Sequence, residues 1–153
     1  MAVPVGWGVS TGLDTPVYFY APSSERFVQD QIPRGGAVIT VGSHDTVGAQ
    51  RKLATTPEAW ARVETRALAS SIPAVEPFEF PKASEVSHAV ISSYDEPTFS
   101  PDERQQHSVA VFWTYDQHMF SAYLNYNAGD PNAAKFENVF LQTLRSVRPL
   151  QKH

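Results

Sequence analysis

Two apolar runs, "HSVAVFWTY" (107–115) and "HMFSAYLNY" (118–126), stand two residues apart near the end of the chain. Both are rich in β-branched and aromatic side chains, which suit a pleated surface. Parallel strands need a crossover of about a dozen residues or more, so neighbours this close form an antiparallel hairpin. The polar island Asp116-Gln117-His118 is then its turn. Neither face of the first strand is plainly polar, with Val109, Val111 and Trp113 on one side and Ala110, Phe112 and Thr114 on the other. Such a strand needs helices against one side and something apolar near the other, either more of this chain or a partner surface. "VYFYAP" (17–22), "AVITVG" (37–42) and "SHAVISSY" (87–94) have the same character and are bounded by Gly, Pro, Asp or Asn.

Two segments carry helical punctuation. In "TTPEAWARVETRALASSIP", Thr56 caps, Pro57 opens, Glu58 suits the positive end of the dipole, and Trp60, Val63, Ala67 and Leu68 form a stripe before Pro73. Toward the C-terminus, Asp130 supplies an N-cap oxygen ahead of Pro131, and Phe136, Val139, Phe140, Thr143, Leu144 and Val147 recur at helical spacing until Pro149. The expected fold is a single α+β domain over residues 1–153. It has an irregular segment at 1–15 and an antiparallel sheet with the helices near 57–72 and 131–148 packed on one face. "APSSERFVQDQIPRGG", "VEPFEFPKASE" and "DEPTFSPDERQQ" read as loops.

Composition narrows the function classes. The chain has 153 residues, 42% of them hydrophobic, enough for one domain that buries roughly 68–70% of its unfolded surface without staples. A formal charge of −4, with no basic run longer than Arg51-Lys52, argues against nucleic acid as a partner, because displacing counterions takes clustered cations. The absence of cysteine removes disulfides, thiolate catalysis and thiolate zinc sites. "MAVPVGWGVSTG" lacks a basic n-region and a long apolar core, so neither a signal peptide nor membrane insertion is expected. The default location is cytoplasmic, or exported if a leader has been removed.

In order, "VYFYAP", "AVITVG", the proline-opened "TPEAWARVETRALASS", the strands ending in "YLNYNAGDP" and the closing "FENVFLQTLRSVRPL" resemble the PsbP-like superfamily. That is the fold of the photosystem II extrinsic subunit and of a Ran-binding nuclear import factor. The resemblance covers roughly residues 16–150, and Ser146-Val147-Arg148 looks like the small–apolar–arginine ending of the superfamily's terminal helix. It implies a PsbP-like αβα sandwich and an accessory or protein-binding subunit, usually without catalysis and, in bacteria, often outside the cytoplasm. It supplies no site residues, since its motifs are apolar patterns and fold alone does not determine function.

Short chemical motifs carry meaning only in a fitting structural context. Gly8-Val9-Ser10-Thr11-Gly12 matches a nucleophile elbow, but no buried strand precedes it and "LDTP" follows. Ser43, His44 and Asp45 are the three residue types of a hydrolytic triad, yet neighbours on an extended chain point to alternate sides and cannot relay a proton among themselves. Asp116 and His118 could set a carboxylate beside an imidazole at a sheet rim, with His107 across the ladder. No histidine pair has metallopeptidase spacing, and Pro97 and Pro101 break a calcium-loop reading of "DEPTFSPDER", so no metal and no cofactor are expected.

The surplus of aromatics is the least ordinary feature, because rigid amphipathic rings bury large areas at low entropic cost. Phe78 and Phe80, set between prolines, are expected to form an exposed adhesive edge or loop, with Trp113, Asp116 and His118 as further binding residues. The leading expectation is a non-enzymatic accessory module whose partner is another protein. The alternative is a small hydrolase or ligand-pocket protein using His44 or His118 with a nearby carboxylate. A homo-oligomer that buries an apolar strand face is a third.

Overall fold

A computed structural model describes residues 1–10, 17–21, 32–44, 56–69, 71, 73–116 and 118–149. Seven strands form one antiparallel sheet: β1 (Gly8–Ser10), β2 (Val17–Ala21), β3 (Ala37–His44), β4 (Val75–Pro77), β5 (Ala89–Asp95), β6 (Gln106–Tyr115) and β7 (His118–Asn127). Their spatial order is β1-β2-β3-β7-β6-β5-β4. Two helices, α1 (Pro57–Leu68) and α2 (Ala133–Arg145), complete the α+β architecture. The expected hairpin is β6–β7, in register from Gln106↔Asn127 to Tyr115↔His118. Short strands flank it that composition had not flagged. β1 lies inside the segment expected to be irregular, and β4 falls in a proline-bearing loop.

The two helices do not share a face. Alternate residues of β6 part company: Val109, Val111 and Trp113 pack with Phe136, Phe140 and Leu144 of α2, while Ala110 and Phe112 pack with Trp60 and Ala61 of α1. The one-face arrangement is therefore corrected. A strand that is apolar on both sides buries both only when each receives its own cover, and here α1 serves β5 and β6 on one side while α2 serves β7 on the other.

Helix α1 begins as its sequence dictates, with Thr56 Oγ1 accepting from the Ala59 amide at 3.2 Å and Pro57 in the first turn. Its buried stripe is Pro57, Trp60, Ala61 and Thr65, leaving Val63 exposed. The Thr65 hydroxyl satisfies itself by donating to the Ala61 carbonyl at 2.6 Å. The α2 boundary also moves. Asn132 is the N-cap position, and Asp130 instead ties the preceding turn, its Oδ1 accepting from the Asn132 amide and its Oδ2 from the Gly35 amide. Gly129, at φ +76°, makes the left-handed step that this turn requires. At the other edge, a Cβ at Gly8 would sit 2.4 Å from the Tyr20 ring, so any larger residue there would have to displace that ring for β1 to lie beside β2.

Polar groups under α1 make that face electrostatically sensitive. Glu64 is half buried with its carboxyl held above the usual range by desolvation, and the Tyr123 hydrogen bond opposes this only in part. A raised folded-state value means the folded protein holds the proton more tightly than the unfolded chain. Stability from this group is thus complete below about pH 4.5, the ordinary carboxyl value, and is lost as pH rises through the raised value. Glu64→Gln is expected to flatten that decline. Melting temperatures of both proteins from acid to neutral pH test this, and parallel curves would refute it.

Candidate functional site

The expected binding residues gather at one corner of the α2 face. Because Phe78 and Phe80 alternate with Pro77 and Glu79, both rings turn inward onto the sheet. They meet edge to face at 5.1 Å, and Phe80 lies 5.2 Å from Trp113. Trp113 stacks on its cross-strand partner Phe120 at 5.6 Å and 14°, and His118 sets its ring edge on Phe120 at 6.5 Å. The result is a continuous train of five rings: Phe78, Phe80, Trp113, Phe120 and His118. Adjacent pairs of this kind contribute about 0.5–1.5 kcal/mol beyond area burial.

This arrangement corrects the picture of an exposed phenylalanine loop. Phe78 and Phe80 are half buried and Trp113 is fully buried. Ser84 fastens the segment that carries them, donating to the Pro81 carbonyl at 2.7 Å and accepting from the Val86 amide. The Phe78 amide extends the β4 ladder to the Ala89 carbonyl. Among the described residues, the phenylalanine that is strongly exposed is Phe99, in the loop before β6 and 90% accessible. Asp116 occupies the hairpin turn at φ +47°, a left-handed position that aspartate tolerates, and both it and His118 are exposed.

Around the ring train the sheet face stays apolar but incompletely covered. Val17, Val41, Phe120 and Tyr115 are half buried on the same side as Phe78 and Phe80. Val17 pairs with Val41, and Phe120 lies opposite Ser43 on the neighbouring strand.

The motifs singled out in sequence end up elsewhere. Gly8, Val9 and Ser10 are edge strand β1, while Thr11 and Gly12 lie outside the described residues. Ser43 and His44 end β3, and Asp45 lies outside the described residues, as does the His44 side chain. Among the described residues no cluster of three metal-ligating side chains occurs, and no helix is long and apolar enough to cross a membrane.

A different constellation emerges at the far end of β5 and β6, where the "DE" read as loop proves to be two-sided. Asp95 faces α2 and meets His107 Nδ1 at 2.7 Å, while His107 Nε2 meets Ser93 Oγ at 2.7 Å. Glu96 turns to the opposite face, where its Oε1 accepts from the Ser108 hydroxyl at 2.7 Å and from Asn125 Nδ2 at 2.9 Å. Tyr126 packs 5.3 Å from the His107 ring and donates to Glu137 Oε1 of α2 at 2.6 Å. Burial, followed by that hydrogen bond, pushes the Tyr126 phenol well above its ordinary range. Composition could not disclose this group, because only the register Asp95↔His107 brings its members together.

The chain matches no family model. It matches no curated protein either. Its fold is similar to that of a solved structure from Pseudomonas aeruginosa, the protein of unknown function PA94. The TM-score is 0.54 at 11% identity, over 95% of this chain and 99% of that one, a likeness of fold alone.

Proposed function

We propose that the chain is an accessory, protein-binding module of PsbP-like type, and that it holds an apolar segment of another protein on the aromatic corner of its α2 face. The observation that carries this reading is the ring train from Phe78 to His118, with half-buried Val17, Val41 and Tyr115 beside it. Rigid rings on a sheet lose little entropy when covered, and a partner would complete the burial that α2 leaves unfinished. The exposed His118 and Asp116 at the hairpin end supply the polar rim that orients such a contact. Helices on opposite faces of an antiparallel sheet fit a sandwich of this type.

The tagged chain, expressed in its native cells, is expected to co-purify one protein in stoichiometric amount. Val41→Glu and Phe120→Ser, in the patch, should each abolish recovery, whereas Val63→Glu on the exposed side of α1 should not. Cooperative melting of each variant confirms that it is folded. Undiminished recovery with folded Val41→Glu and Phe120→Ser would remove the patch from the contact.

A further inference from the structure

Among the described residues, one group pairs a nucleophile, a base and an orienting carboxylate: Ser93, His107 and Asp95 on the α2 face of β5 and β6. We propose that Ser93 is an activated nucleophile that takes the acyl group of a carboxylic ester, with His107 as its general base and Asp95 as the positioning residue. This goes beyond the protein-binding reading and draws on none of the residues in the ring train.

The geometry follows from strand register. Asp95 lies directly opposite His107, and Ser93, two residues back on β5, projects from the same face diagonally across from it. An ionised carboxylate only accepts hydrogen bonds, so at 2.7 Å from Asp95 Oδ1 the Nδ1 atom must carry the proton. In the neutral ring Nε2 is then the free base, and at 2.7 Å it accepts from the Ser93 hydroxyl. This is the polarity that serine acylation requires, with the carboxylate setting the tautomer and the imidazole drawing the proton from oxygen. Tyr126, beneath the imidazole and tied to Glu137, supports the ring from the adjacent strand.

The surroundings suit an ester with an aliphatic acyl chain. Half-buried Ile91 projects from the same face two residues along β5, so an acyl chain would lie on carbon.

In the reaction, Ser93 Oγ bonds to the ester carbonyl carbon as its proton passes to His107 Nε2. The tetrahedral adduct then expels the alcohol, which leaves with that proton. Water attacks the acyl-serine, giving a proton to Nε2, and the carboxylic acid departs as Ser93 Oγ takes the proton back.

The test uses the full chain and an alkyl fluorophosphonate, whose phosphorus bonds to serine oxygen as fluoride leaves. Intact mass and peptide mapping are expected to place one adduct on Ser93, and p-nitrophenyl butyrate should be hydrolysed with a burst. Ser93→Ala should lose both signals. His107→Gln should slow labelling by about a hundredfold, the scale of a lost general base. Asp95→Asn can donate to the ring and favour the wrong tautomer, so it should also slow labelling while melting like the wild type. It serves as the second arm should His107→Gln fail to fold. An unlabelled Ser93 in the wild type, or labelling as fast in the folded His107 or Asp95 variant as in the wild type, overturns the proposal.

Discussion

Phe140→Ala is expected to lower the free energy of unfolding by about 3–5 kcal/mol, a large share of the 5–15 kcal/mol that typically holds a domain together. Phe140 is fully buried and lies at the centre of the α2 stripe between Phe136 and Leu144, against a sheet face of Phe19, Ile39, Val109, Val111 and Leu124. Truncating the ring removes its transfer free energy and leaves a cavity that rigid β-sheet side chains fill poorly. The consequence reaches the N-terminus. Trp7 packs edge-on against Phe136 at 6.3 Å, and the Ala2 amide donates to the Ser146 hydroxyl just past the helix. Chemical denaturation should show the midpoint falling with an unchanged slope if the variant stays folded. A loss below about 1 kcal/mol, the usual centre for arbitrary substitutions, would mean that α2 is not docked as described.

Much of the fold was legible because local signals agreed with tertiary need. Thr56-Pro57 marked the start of α1, the alternation in 107–126 marked β6 and β7, and the helical spacing from Phe136 to Leu144 marked α2. What stayed hidden depended on distant partners. Asp130 looked like a cap, but its carboxylate is drawn off by Gly35, which is remote in sequence. Strands β1 and β4 have three residues each, too few to display alternation. The assignment of helices to faces was unreadable in α1 or α2 taken singly, although the two apolar faces of β6 already demanded two covers.

The same division applies to the sites. The aromatic surplus singled out rings that the fold brings into contact, but not their exposure. Phe78 and Phe80 are i and i+2 in an extended segment and so turn to one face, and that this face is the inward one depends on their place beside Ala89 and Trp113. The Ser93–His107–Asp95 relay left no motif because it joins two strands, and a shift of one residue in register would send His107 to the opposite face. "SSYD" was nevertheless a usable signal. Serine and aspartate two apart on a strand share a face, and a histidine opening the next strand is the natural candidate to bridge them.

Phe112→Ala should be as damaging as Phe140→Ala, about 3–5 kcal/mol, and for an independent reason. Phe112 is fully buried on the opposite side of β6, with Tyr123 edge-on at 5.7 Å and Trp60 of α1 in the same cluster. The sheet lies between the two phenylalanines, so they share no cavity. Their effects should therefore add, whereas two residues under a single helical layer would be coupled. Since both alanine changes together would exhaust the stability of an ordinary domain, the cycle is best run with Phe112→Leu and Phe140→Leu, each expected to cost about 0.5–3 kcal/mol. Denaturant midpoints of the wild type, both singles and the double give the interaction energy directly. A value within about 0.5 kcal/mol of zero is the signature of two separate cores, and a larger coupling would mean that strain passes through the sheet from one helix to the other.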